Sequence, residues 1–255
     1  MTAWLPIVAA VALATEPPAP ATPPPTAPAT AAQPTPPIAS DPTPAQLFQR
    51  AIACVGPIEQ APCLRAEGVI ETAGGRSDIT LLWNARAPRR IVVRERLSDG
   101  RVAEWGASGE RGWMRAPGRE APIEVEPAAV LASKAALVPS LMVLALADRF
   151  PHRTSAAIET IEGVRCHRVD LEDRDGLPGA AWFDTGTGRL RAFQTRGSRN
   201  ETPTTTTIEA WTSAGALQVP SRLVCRSGTS EVRTTFSRLS VEPIADEAFA
   251  PPVAR

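Results

Sequence analysis

Between Ile79 and Val241 the chain keeps returning to one pattern: a short run in which apolar and polar residues alternate, then a turn built on Gly, Asp or Ser. Period-two alternation turns one face of an extended strand toward a core and the other toward water. Ile79, Leu81 and Trp83 alternate in this way with Thr80, Leu82 and Asn84. The run "RRIVVRERL" predicts the next strand, closed by Ser98-Asp99-Gly100, and "RVAEWGA" and "WMRAP" follow on either side of a turn at Ser108–Gly112. Further strands are predicted in "GVRCHRVDL", "AAWFD", "RLRAFQT", "TTTTIEAW", "LQVPSRLVCR" and "EVRTTFSRLSV". Short strands in succession, joined by tight turns, make an antiparallel meander. The last of them, rich in Thr, Val and Arg, suit a pleated surface with one wet face. The fold class is therefore mainly β (α+β), a single large curved antiparallel sheet, because a sheet of this length must curl or close to hide its edges.

Two segments depart from the pattern inside the folded part. "PTPAQLFQRAIACVG" predicts a helix, with Thr43 as N-cap, Pro44 beside it, Leu47, Ala51 and Cys54 at helical spacing, and Gly56 as the stop. Residues 127–150, "PAAVLASKAALVPSLMVLALADRF", are dominated by Ala and Leu and contain no Gly. They predict two short helices broken at Pro139, apolar around most of their circumference and so buried on several sides. Lys134 and Pro139 divide the run and argue against membrane insertion.

The amino-terminal part folds into nothing of this kind. Residues 1–14 form a short apolar core ending in Ala12-Leu13-Ala14, the pattern of a cleaved signal peptide, although no basic residue precedes the core. The apolar stretch falls short of the about 20 residues a spanning helix needs. No Cys follows it for lipid attachment, so the expected product is soluble and periplasmic or secreted. Residues 15–44 are almost entirely Pro, Ala and Thr, with little to bury and few backbone donors, and are expected to form a disordered, extended tether. The domain itself is expected over 45–252.

Lys plus Arg number 27 and Asp plus Glu 27, so the chain lacks the excess basic charge of a nucleic-acid footprint. His152, in an expected loop, and His167, beside Cys166 on a strand, have no partners at metal-ligand spacing, and no metal or cofactor is expected. The stretch Asp184-Thr185-Gly186-Thr187 matches the catalytic loop of aspartic proteases. Such an enzyme needs two carboxylates sharing one proton, yet the chain holds one such loop. No hydrophobic-hydrophobic-Gly brace follows Leu190; "LVCRSG" comes closest. A hairpin turn uses every residue instead: Asp184 binds turn amides, and Gly186 and Gly188 supply positive φ where it is needed. Of the four cysteines, Cys54 and Cys63 are the favoured disulfide, a short loop whose closure is worth roughly 2–3 kcal/mol. Cys166 and Cys225 are open between a bridge and two buried thiols.

A helix before the first strand, a meander, an apolar helical insert, then "IEGVRCHRVDL", "AAWFDTGTGRLRAF", "VPSRL" and "DEAFAPP" together resemble the outer-membrane lipoprotein-sorting (LolA/LolB-like) family over about residues 44–252. The resemblance implies a half-open antiparallel barrel with a helical lid over an apolar cavity, and a non-enzymatic role: holding a lipid or lipoprotein acyl chain. The candidate cavity residues are Trp83, Trp105, Trp113, Met114, Leu141, Met142 and Leu144. The expected partners are the acyl chain and an envelope membrane protein, and the expected state is a monomer. The alternatives are an envelope-stress sensor of the same fold and an aspartic-protease-like hydrolase using Asp184.

Overall fold

The computed structural model describes residues 41–252 apart from 59, 61–62, 87–89, 128–129, 131–142, 144–145, 148 and 197–200. The expected signal peptide, all but the end of the Pro-rich tether, and three of the candidate cavity residues (Leu141, Met142 and Leu144) lie outside the described residues.

Helix α1 (Pro44–Val55) begins as its sequence dictates. The Thr43 hydroxyl accepts the Gln46 backbone N–H, and the Gln46 side chain accepts the Thr43 N–H, a reciprocal capping box with Pro at the first turn. The buried stripe is Leu47, Phe48, Ala51 and Val55, so Cys54 falls beside it. Gly56 ends the helix at φ 100, where a Cβ would meet the Ala216 carbonyl oxygen at 2.5 Å.

Among the described residues thirteen strands follow: β1 (Cys63–Thr72), β2 (Gly75–Asn84), β3 (Arg90–Arg96), β4 (Val102–Ser108), β5 (Arg111–Arg115), β6 (Ile123–Val125), β7 (His152–Ile161), β8 (Val164–Glu172), β9 (Pro178–Asp184), β10 (Leu190–Thr195), β11 (Thr204–Ala214), β12 (Leu217–Ser227) and β13 (Ser230–Ser240). They form one antiparallel sheet in the order β6-β5-β4-β3-β2-β1-β13-β12-β11-β10-β9-β8-β7. Two meanders, β1–β6 and β7–β13, are thus joined by one long-range pairing, β1 with β13. The sheet does not close. Its free edges are β6 and β7, which are consecutive strands in the sequence.

Three strands escape the alternation pattern. In β1 a bulge at Glu67/Gly68 breaks the period, and β6 is three residues long. Strand β7 is a mostly exposed edge with a bulge between Ser155 and Ile158, so no apolar stripe marks it. His152, expected in a loop, opens this strand opposite Glu172.

The sheet buries both faces, unequally. The inner face packs against α1 and the described residues of the insert in one large cluster that includes Leu47, Phe48, Leu81, Trp83, Phe183 and Phe193. On the outer face, Leu82, Val92, Trp113 and Phe249 pack together, Phe249 coming from a 3-10 turn at Asp246–Phe249. Cys166, Ala180, Trp182 and Ala192 form a third cluster. All four cysteines are free thiols, so the expected Cys54–Cys63 bridge is not formed: the Cys54 thiol donates to the Thr187 carbonyl 3.3 Å away, and Cys63 is buried in β1 opposite Asn84.

The Asp-Thr-Gly-Thr stretch is the turn of the β9–β10 hairpin. One Asp184 carboxylate oxygen accepts the backbone N–H groups of Gly186 (2.7 Å) and Thr187 (3.0 Å). The Gly188 N–H closes the turn on the Asp184 carbonyl at 2.8 Å. Of the two turn glycines expected to supply positive φ, Gly188 does so, at 73°.

Candidate ligand-binding face

Register places the inner-face side chains in rows across the first meander. One row runs Leu64, Trp83, Ile91, Ala107 and Gly112. The next runs Ala66, Leu81, Val93, Trp105, Met114 and Ile123, ending at an edge isoleucine that is 57% exposed. In the second meander Ile158, His167, Phe183 and Leu190 share a row, again ending at an exposed isoleucine on the free edge. Phe48 of α1 meets Phe183 edge-on, ring centroids 5.0 Å apart, so the helix covers the floor of this half.

The insert is rooted on the inner face at both ends, each time over a glycine. At its start, a Cβ on Gly112 would lie 2.5 Å from the Val125 carbonyl oxygen and 2.9 Å from the Pro127 Cα. Gly112 falls in the same row as Ala107, so the chain turns inward there. At its end, Phe150 is fully buried against Gly179, where a Cβ would meet the Phe150 ring at 3.1 Å. Arg153 fastens this end. Its Nε donates to the Phe150 carbonyl at 2.7 Å, its Nη2 donates to the Ala147 carbonyl, and its guanidinium lies 4.7 Å above the Phe48 ring. A cation on the final carbonyls of a helical segment satisfies acceptors that have no partner within the segment. Between these roots Val130, Val143 and Leu146 are buried in the inner cluster.

Of the candidate cavity residues that are described, Trp83, Trp105 and Met114 share the inner face: Trp83 is almost fully buried, and Trp105 and Met114 are half-buried. Trp113 does not join them. It pairs with Gly106, stands on the outer face, and covers that glycine so closely that a Cβ there would lie 2.0 Å from its ring. Adjacent strand residues point to opposite faces, so Trp113 and Met114 cannot share a cavity wall. The residues that the sequence reading passed over are Phe48, Phe150 and Phe183. Phe48 had a signal, since it lies next to Leu47 and one helical turn before Ile52.

The outer face carries the polar clefts. One of about 410 Å³ lies along β7–β10 and is lined by His152, Arg168, Asp170, Glu172 and Arg196 among others. Arg168 in it is engaged by Glu159 at 2.8 Å and Asp170 at 2.7 Å. The Arg168 guanidinium, and after it the Trp182 indole N–H, hold the Glu159 carboxyl below its ordinary pKa. These contacts tie neighbouring strands together. Among the described residues no group of His, Cys, Asp and Glu has the geometry of a metal site, and no helix is long and apolar enough to cross a membrane.

No family profile and no curated protein matches the sequence. Solved structures do match the fold. A LolA-superfamily protein from Nitrosomonas europaea superposes with a TM-score of 0.54 at 12% identity, covering 82% of this chain and 97% of that one. A DUF1329-family protein from Desulfovibrio piger gives 0.58 at 10% identity, over 80% and 95% of the two chains. An outer-membrane lipoprotein-sorting protein domain from Vibrio parahaemolyticus gives 0.56 at 10% identity, over 80% and 94%. An unclosed antiparallel sheet with α1 on its inner face and an insert rooted there at both ends is the LolA-like fold, and this chain has it.

Proposed function

We propose that this protein is an exported, non-enzymatic carrier that holds an acyl chain of a lipid or lipoprotein between the inner face of the sheet and the insert. The observation that supports the reading is that the described ends of the apolar insert pack over Gly112 and Gly179, on the same face of the sheet as Trp83, Trp105 and Met114. An apolar, non-directional surface suits a hydrocarbon chain, whose transfer from water yields about 0.8 kcal/mol per buried CH₂. Leu141, Met142 and Leu144, the remaining candidates from the sequence, lie outside the described residues. The fold likeness to a lipoprotein-sorting domain supports the same reading. Asp184, the residue a protease would need, is engaged by its own turn. Residues 1–14 serve as the export signal and the Pro-rich 15–44 as a tether, which lets a monomer reach a partner in the envelope membrane.

Native mass spectrometry of the full chain purified from its own envelope, followed by lipid extraction, tests the proposal. The expected result is a protein shortened by about 14 residues that carries an acyl-lipid adduct. A protein free of adduct that also fails to take up the neutral probe N-phenyl-1-naphthylamine would overturn it.

A further inference from the structure

Four buried side-chain nitrogens among the described residues have no hydrogen-bond partner: Trp83 Nε1, Trp113 Nε1, Arg115 Nε and Arg191 Nε. Both arginines bond through their other nitrogens, Arg115 to Glu104 and Arg191 to the Ile208 carbonyl. Trp113 belongs to the outer cluster. Trp83 is the member of this set that stands on the inner face, where the acyl chain is proposed to lie.

Its surroundings explain why the donor is orphaned. Trp83 is 2% exposed, its flanking cross-strand neighbours are Leu64 and Ile91, and Ala107 lies beyond Ile91. All three are apolar and none accepts a hydrogen bond through its side chain. Leaving a buried donor unpaired costs about 1–3 kcal/mol, and a phenylalanine would fill much of the same space without that cost. Buried polar groups in folded proteins are nearly always paired, so the orphan calls for an acceptor that arrives from outside.

We propose that the indole N–H of Trp83 donates to a neutral carbonyl of the bound acyl chain, the ester or amide oxygen through which the chain is attached. This deepens the carrier reading and rests on it. A free carboxylate is the wrong acceptor here, because the row around Trp83 offers no compensating charge and an unpaired buried charge is costly. Arg153, the cation stacked on Phe48 of this face, already donates to the Phe150 and Ala147 carbonyls. The ligand class is therefore an esterified or amide-linked acyl chain, as carried by acyl lipids and by acylated proteins respectively, and not a free fatty acid.

Displacement of N-phenyl-1-naphthylamine from the full chain by methyl laurate, N-methyllauramide, ionised laurate and dodecane reads this directly. The wild type should prefer the ester or the amide over dodecane by about 2- to 12-fold, the worth of one net hydrogen bond. The better of those two identifies the source, lipid or acylated protein. Trp83→Phe should lose the preference, so that ester, amide and dodecane displace the probe alike. A second measurement needs no variant: among the indole N–H resonances of the wild type, that of Trp83 should move downfield with methyl laurate and stay in place with dodecane. Equal displacement by ester, amide and dodecane, with no selective shift of the Trp83 resonance, overturns this inference and leaves the carrier reading standing. Laurate matching the ester overturns the assignment of a neutral acceptor. If none of the four displaces the probe, or adduct-free protein does not bind it, the carrier reading itself fails.

Discussion

Asp184 and Cys166 show how one residue can be explained without catalysis. They face each other across β8 and β9. Asp184 turns its carboxylate to two amides of its own hairpin. Cys166 is fully buried, and burial, with a smaller contribution from the Asp184 charge, raises its thiol pKa from the usual 9.0 to about 11. Between those values the unfolded chain releases the thiol proton while the folded chain keeps it. The unfolded state then binds fewer protons, so stability falls as pH rises through this window and is intact below it. The loss should be on the order of 2–3 kcal/mol, about 1.4 for each pKa unit. The chain contains no tyrosine, and Lys134 is its one lysine, so few other groups titrate there. Urea denaturation across the alkaline range should show the drop in the wild type and a much smaller one in Cys166→Ala; parallel curves for the two proteins would contradict the assignment.

At the scale of the element, the insert depends on two places where its backbone or ring approaches the sheet too closely for a side chain. A methyl group on Gly112 would press on the Val125 carbonyl and the Pro127 Cα, both backbone atoms that cannot swing aside. Gly112→Ala should therefore cost about 1–3 kcal/mol and loosen the root of the insert, so that limited proteolysis cuts within 128–148 faster than in the wild type. Gly74→Ala is the matching control, because its Cβ would meet only the Thr72 hydroxyl at 3.6 Å. Equal cleavage rates in the two variants would show that the root does not hold the insert. Helix α1 behaves differently: its capping box and apolar stripe are local, and they were readable from Thr43, Gln46, Leu47 and Ala51.

For the whole molecule the decisive feature is the seam between β1 and β13, the one strand pairing that unites the two meanders in a continuous sheet. Gly68 sits at its bulge opposite Phe236, and a Cβ there would come within 2.0 Å of the Thr235 carbonyl oxygen. Gly68→Ala should force the seam apart and destabilise the protein by about 3 kcal/mol, the upper end for overpacking. That loss would appear as a lower urea midpoint, and an unchanged midpoint would mean the seam tolerates the displacement. The pairing joins strands far apart in sequence, so its loop-closure entropy must be offset by the packing of the whole inner face.

The sequence by itself determined most of the strands, the hairpin at Asp184 and the capped first helix, because alternation, turn chemistry and capping act over a few residues. Tertiary structure decided which face each side chain serves. In β2 the run Leu81-Leu82-Trp83 is apolar without a break because both faces of the sheet are covered there. Where both faces are apolar, period two separates the sides without saying which is inner, and so Trp113 could be assigned to the wrong one. The free edge β7 and the bulged β1 were hidden for the opposite reason: exposure and a register shift erase the stripe that marks a strand. The orphaned N–H of Trp83 was beyond any local signal, since its cross-strand neighbours Leu64 and Ile91, and Ala107 beyond them, come from other strands and bring no side-chain acceptor with them.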